Sequence, residues 1–173
     1  MHARRLNLLM LFLILGAVVS GCSTASGGSP TQAAAVSPTV DPVTQKYAAL
    51  ANGYWEDHVV ATGGAATVCL GTGVGTQGIN PPLCRVRGAA MLAVQEKFLS
   101  DLGVTPPPPK FAADDRVFRT QLPKTVADLK AMISAADVGN QQGILDAANA
   151  YVDDMGPVPG ALDHINPSVE HVG

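Results

Sequence analysis

From residue 41 onward the apolar positions recur at steps of three and four, the period of an α-helix with one buried face. Tyr47, Leu50, Tyr54, His58 and Ala61 form the first such stripe. Asp41-Pro42 opens it: an N-capping carboxylate, then a proline whose missing N–H is harmless in the first turn. Gly63-Gly64 stops it. A second cap-and-proline pair, Asn80-Pro81, opens a longer stripe of Leu83, Val86, Ala90, Val94, Phe98 and Leu102, which ends at Gly103. Pro106 to Pro109 predicts a stiff polyproline spacer.

A third helical region spans Phe111 to Ala136. Pro123 is expected to break or kink it, because the ring removes a helix hydrogen bond and collides with the preceding turn. Thr125, with Asp128 three residues on, reads as a cap for its second half, whose inner face is Leu129, Met132, Ile133 and Ala136. A fourth helix covers Gln141 to Met155, with Ile144, Leu145, Ala148, Tyr151 and Val152 apolar, and Gly156-Pro157 ends it. One helical turn is expected near Leu162. No alternating run long enough for a strand occurs, and no internal repeat. The expected fold is all-α: an antiparallel bundle of about four helices over residues 41–166, followed by a flexible tail at 167–173. Gly53 and Gly88 interrupt helical patterns at about 1 kcal/mol each relative to alanine. Either a close helix contact offsets that cost, or the helix simply tolerates it.

Residues 23–40, STASGGSPTQAAAVSPTV, carry no charge and almost nothing large. Such a segment cannot bury enough apolar surface to offset its ordering entropy, so residues 22–40 read as a flexible tether. Its eighteen residues after Cys22 reach at most about 60 Å when extended. Aromatic residues make up 5% of the chain, which favours close-packed helices over an aromatic-rich β-sandwich.

The chain opens MHARRLNLLMLFLILGAVVSGCS. Arg4 and Arg5 form a short basic region, and Leu6 to Val19 is apolar apart from Asn7. That matches the apolar region of a signal peptide and falls short of the roughly 20 residues of a membrane span. Val19-Ser20-Gly21-Cys22 then resembles the lipobox of bacterial lipoproteins: an aliphatic residue, two small ones and a cysteine. The resemblance covers the first 22 residues only. It implies that residues 1–21 are a cleaved signal peptide, that cleavage falls between Gly21 and Cys22, and that Cys22 carries the lipid. Two or three acyl chains, at about 0.8 kcal/mol per buried CH₂, would hold the protein durably where one would not. The expected location is the cell membrane, on its extracytoplasmic side. The Ala-, Gly-, Pro- and Val-rich composition also resembles that of small actinobacterial envelope lipoproteins, mycobacterial ones among them. That resemblance is one of style and implies no function.

Loss of the leader removes two arginines and leaves nine basic against fourteen acidic residues, a net charge of −5. A nucleic-acid partner would want a basic face, and charge-driven binding to anionic lipid would want one too. Neither partner is expected.

Gly73-Val74-Gly75-Thr76-Gln77-Gly78 matches the dinucleotide pattern G-x-G-x-x-G. That motif needs a strand before it and a helix opening from it. Here a helix and Gly63-Gly64 precede it and Asn80-Pro81-Pro82 follows, so no nucleotide and no other cofactor is expected. Cys69 and Cys84 lack the paired ligands of a zinc site. Export would place them in an oxidising compartment, and with Cys22 lipidated they are the remaining pair. A disulfide-tied loop is expected, worth roughly 3 kcal/mol on the chain-entropy account.

Trp55-Glu56-Asp57-His58 is the densest chemistry in the chain. Asp57 and His58 are candidate metal or proton-transfer residues together with His164, although adjacent helical residues diverge by about 100°. No H-E-x-x-H and no E-x-x-H occurs, and a solvated helix edge with His58 near the surface is the expected reading. Asp114-Asp115 also reads as a solvated face, early enough in its helix to favour the helix dipole. Asp153-Asp154 lies at a helix C-terminus, where negative charge is unfavourable, and so could mark a cation or partner site. No G-x-S-x-G is present, and no cysteine is left for nucleophilic work.

Three function classes remain. An anchored, non-catalytic module would bind an envelope protein or wall component, and a filled core with an exposed apolar patch would favour it. A carrier would hold a small apolar or metal ligand, in a cavity lined by Leu, Met and aromatic side chains. An enzyme without a recognised motif would show convergent polar groups in a cleft.

Overall fold

The computed structural model describes residues 41–71 and 75–166. The expected signal peptide at 1–21, the expected tether at 22–40 with Cys22, and the expected tail at 167–173 lie outside the described residues. Helix α1 runs Pro42–Thr62, α2 Ala65–Cys69, α3 Pro81–Val104, α4 Ala112–Asp137, α5 Gln141–Met155 and α6 Pro157–Ile165, with a 3₁₀ turn at Pro109–Phe111. No strand occurs among the described residues. The fold is an all-α antiparallel bundle. No helix among the described residues is long and apolar enough to cross a membrane.

The helix starts follow from capping chemistry. Asp41 Oδ2 accepts from Thr44 N at 3.2 Å, Asn80 Oδ1 from Leu83 N at 3.1 Å and Asn140 Oδ1 from Gly143 N at 3.0 Å. Each satisfies one of the backbone donors that a helix leaves unpaired in its first turn. Between α4 and α5, Gly139 takes a left-handed φ of 67°, which closes the three-residue connection at no steric cost.

Helix α4 is the centre of the bundle, packed against α3, α5 and α6, while α1 lies on α3. Tyr47, Leu102, Phe118, Leu122, Leu129 and Ile144 are all fully buried in the core. Tyr54 stacks on Phe98 with ring centroids 4.2 Å apart, and Phe98 meets Phe118 edge-on at 5.4 Å. Gly88 brings α3 close to α4: a Cβ there would lie 2.8 Å from Met132 Cε and 3.1 Å from Ile133 Cγ1. A Cβ added at Gly53 would meet nothing within 4 Å beyond its own helix among the described residues, so one glycine serves packing and the other is tolerated.

Several expectations need correction. Helix α4 runs unbroken through Pro123. Phe118, Leu122, Thr125 and Leu129 are buried on both sides of it, and that continuous face offsets the roughly 3 kcal/mol an interior proline costs. Thr125 caps nothing; its hydroxyl donates back to Leu122 O at 2.9 Å and to Gln95 Oε1. The single turn near Leu162 is the nine-residue helix α6, buried through Val158, Ala161, Leu162 and Ile165. The stretch before Cys69 is the short helix α2. Asn80 N donates to Val68 O at 2.9 Å and ties the base of the following loop.

Candidate functional site

Cys69 ends α2 and Cys84 lies in the first turns of α3. They sit at disulfide distance with Cα atoms 5.1 Å apart, inside the range a bridge requires. The pair holds α2 against α3, and α2 is one wall of a cavity.

That cavity is a cleft of about 530 Å³ between α1, α2 and α5. Trp55, His58, Val59 and Thr62 recur at helical spacing along one edge of α1 and form the first wall. Ala65, Ala66, Cys69 and Leu70 form the second, where the alanines' small side chains leave space open. Ala148, Tyr151, Val152 and Met155 of α5 form the third. Met91 of α3 and Met132 of α4, both buried, close the floor. Val59 and Val152, each about half exposed, stand at the rim. Among the described residues no Asp, Glu, Lys or Arg lines the cleft.

His58 is the polar feature of this wall, and it is buried, at 6% exposure, rather than at a solvated edge as expected. Its ring stacks with Trp55 at 5.2 Å and with Tyr151 at 6.5 Å between centroids. Burial lowers its pKa to about 4, so the imidazole is neutral near pH 7, with one N–H donor and one acceptor nitrogen. Its Nδ1 is buried and has no hydrogen-bond partner among the described residues. The Thr62 hydroxyl is occupied, donating to His58 O at 2.9 Å. Tyr151 oxygen accepts from Gln95 Nε2 at 3.0 Å, and Gln95 is itself fully buried. Burial pushes the phenols of Tyr54 and Tyr151 well up. The cleft is therefore uncharged at neutral pH.

The other sequence candidates do not converge on it. Asp57 is exposed and lies on a shallow groove between α1 and α3, beside Lys97 and Asp101. His164 Nδ1 lies 3.1 Å from Asp114 Oδ1. Asp57, His58 and His164 thus have separate surroundings, and among the described residues no three His, Cys, Asp or Glu side chains gather as a metal site. Asp114 and Asp115 are buried, which corrects the solvated reading. Asp115 accepts from the Tyr47 hydroxyl at 2.8 Å and from Arg119 Nε at 2.6 Å, and Arg119 Nη2 donates to Leu102 O at 2.7 Å. This network joins α1, α4 and the last turn of α3. Its exclusion of water, with Asp115 as acceptor, pushes the Tyr47 phenol up. Asp154 meets Lys124 at 3.6 Å. Burial first, then Asp154, raises the Asp128 carboxyl. In the glycine-rich stretch the described residues 75–78 form a turn, with Ile79 N donating to Thr76 O at 3.3 Å, and the element before it is helix α2.

The sequence held a signal for the cleft that its charged residues obscured. Trp55, His58, Val59 and Thr62 stand at i, i+3, i+4 and i+7 and so share one helix edge. No pattern in the chain marks Met91 or Gln95 as part of the site, because their roles depend on how α3 packs. No protein-family model matches the chain, and neither a curated protein nor a solved structure matches it.

Proposed function

We propose that the protein is a lipid-anchored carrier on the extracytoplasmic face of the cell membrane, whose helical domain holds a small apolar ligand in the α1–α2–α5 cleft. The carrying observation is the cleft itself: about 530 Å³, with thioether and aromatic walls and no charged side chain among the described residues that line it. That volume falls within the range of ligand sites, which are mostly apolar with few polar groups. Flexible, polarisable Met side chains at the floor adapt to ligand shape. These features support a carrier over a module that only presents a surface. The anchor rests on the basic and apolar leader followed by Val19-Ser20-Gly21-Cys22. It would keep the cleft within a tether's length of the bilayer, where apolar molecules concentrate.

Two measurements test the proposal. Cys22→Ala should leave the leader uncleaved, so that the protein stays at its precursor size, and should end incorporation of labelled fatty acid. An unchanged mature size and unchanged labelling would defeat the anchor. The neutral dye N-phenyl-1-naphthylamine should brighten saturably on the protein. Ala66→Phe, which fills the cleft from an exposed wall position, should remove that response. A response that survives Ala66→Phe would place the dye elsewhere.

A further inference from the structure

We infer that the ligand of this cleft is an uncharged amphiphile: an apolar body with a single hydrogen-bonding group, such as a hydroxyl, that partners His58. The inference deepens the carrier reading and rests on it.

Charge is excluded by the walls. Sixteen described residues line the cleft, and none of them is Asp, Glu, Lys or Arg. A carboxylate or ammonium entering it would lose its water and gain no counter-charge, a loss that apolar contact does not offset. The polar groups in the walls are mostly committed. Thr62 donates to backbone carbonyls of its own helix. Tyr151 is held by Gln95, whose other end is held by Thr125. His58 differs: it lines the cleft, is 6% exposed, and its Nδ1 lacks a partner among the described residues. An unpaired buried polar atom is costly and is uncommon in a native interior. The neutral ring has one donor and one acceptor, so a hydroxyl, which both gives and accepts, suits it in either tautomer. A purely apolar ligand would leave the polar atom unpaired. A ligand with several polar groups would bring more of them than the walls can satisfy.

The chain carries its own reporter, since Trp55 is its single tryptophan and stands in the cleft wall. The full chain is reconstituted in phosphatidylcholine vesicles and titrated at pH 7 with octan-1-ol, octane, octanoate and octylammonium. Each probe is compared at equal membrane-bound concentration. Octan-1-ol should shift Trp55 fluorescence saturably and bind at least about tenfold more tightly than either ion. It should also bind about fivefold more tightly than octane, the worth of one net hydrogen bond near 1 kcal/mol. These comparisons need no variant. His58→Phe, which keeps a ring between Trp55 and Tyr151, should remove the preference for octan-1-ol over octane.

Equal binding of all four probes, or a preference for an ion, would overturn the inference and leave the carrier reading standing. So would an octan-1-ol preference that persists in His58→Phe. Silence of Trp55 toward every probe would overturn both. A full chain that is silent, but responds once residues 167–173 are removed, would assign the cleft to the chain's own tail and overturn the inference.

Discussion

Gln95 Nε2 donates to the Tyr151 hydroxyl at 3.0 Å, from the buried face of α3 to the wall of the cleft on α5. Thr125 of α4 donates to the other end of the same amide. Three helices are thus joined through one fully buried glutamine, and the joint fixes where Tyr151 stands. Polar groups so placed are favourable only while every partner is present.

Thr125→Val keeps the side-chain shape and leaves Gln95 Oε1 without its donor. Stability should fall by about 1–3 kcal/mol, the cost of an unsatisfied buried acceptor. Adding Gln95→Met should recover part of that loss, since an apolar pair of similar volume leaves fewer groups unpaired. Chemical denaturation of the two single variants and the double variant measures the coupling. Additive losses would show that the three side chains do not act as a unit.

His58 makes the fold sensitive to mild acid. Burial holds its pKa at about 4 against an ordinary 6.5, and the rings facing it, Tyr54, Trp55 and Tyr151, carry no charge. Between these two values the unfolded chain binds a proton that the folded chain does not. Stability should therefore fall as pH drops from about 6.5 to 4, by about 3 kcal/mol from this group, and its contribution should level off below that. Carboxylates titrate in the same acid range, so the informative quantity is the difference between wild type and His58→Phe. The variant's profile should be flatter by about that amount. Parallel profiles would mean that His58 ionises as freely in the fold as out of it.

The two helical glycines should respond in opposite directions. Gly53→Ala meets nothing within 4 Å beyond its own helix among the described residues and should raise stability by about 0.5–1 kcal/mol through backbone entropy and helix propensity. Gly88→Leu must displace Met132 and Ile133, because even a Cβ there would come within 2.8 Å of Met132 Cε. It should cost about 1–3 kcal/mol or more by overpacking. It should also disturb the cleft floor that Met132 forms. Thermal melts of both variants check the signs, and a stabilising Gly88→Leu would refute the close α3–α4 contact.

The helix starts were legible because their cause is local. Asp41-Pro42, Asn80-Pro81 and the turn before Gln141 need only their own side chains to cap a backbone. Pro123 misled because its penalty is local while what outweighs it, the buried face from Phe118 to Leu129, is tertiary. His58 and Asp114-Asp115 read as solvated because charge and polarity predict exposure on average. Their burial depends on partners far along the chain, such as Tyr151 for His58 and Tyr47 for Asp115. The cleft was the least legible feature. It is a space left between α1, α2 and α5, and a sequence writes only its walls.

The last prediction concerns the bridge beside that cleft. Cys84 is fully buried and Cys69 nearly so, and α2 has only five residues, too few to persist on helical propensity alone. The bridge and the hydrogen bond from Asn80 N to Val68 O are what hold α2 to α3. Replacing both cysteines with alanine should lower stability by about 3 kcal/mol, as expected for a closed loop of this length. The helical circular dichroism should stay close to that of the parent, because the capped helices α1, α3 and α5 and the central α4 keep their own buried faces. The cleft should suffer more than the fold. With Ala65, Ala66 and Leu70 free to move, the saturable dye response should weaken several-fold. Free-thiol labelling of the exported wild-type chain under denaturing, non-reducing conditions checks the premise and should find neither Cys69 nor Cys84 reactive. Labelling of both would show that the pair is reduced, and an unchanged dye response in the double variant would show that α2 stands without the bridge.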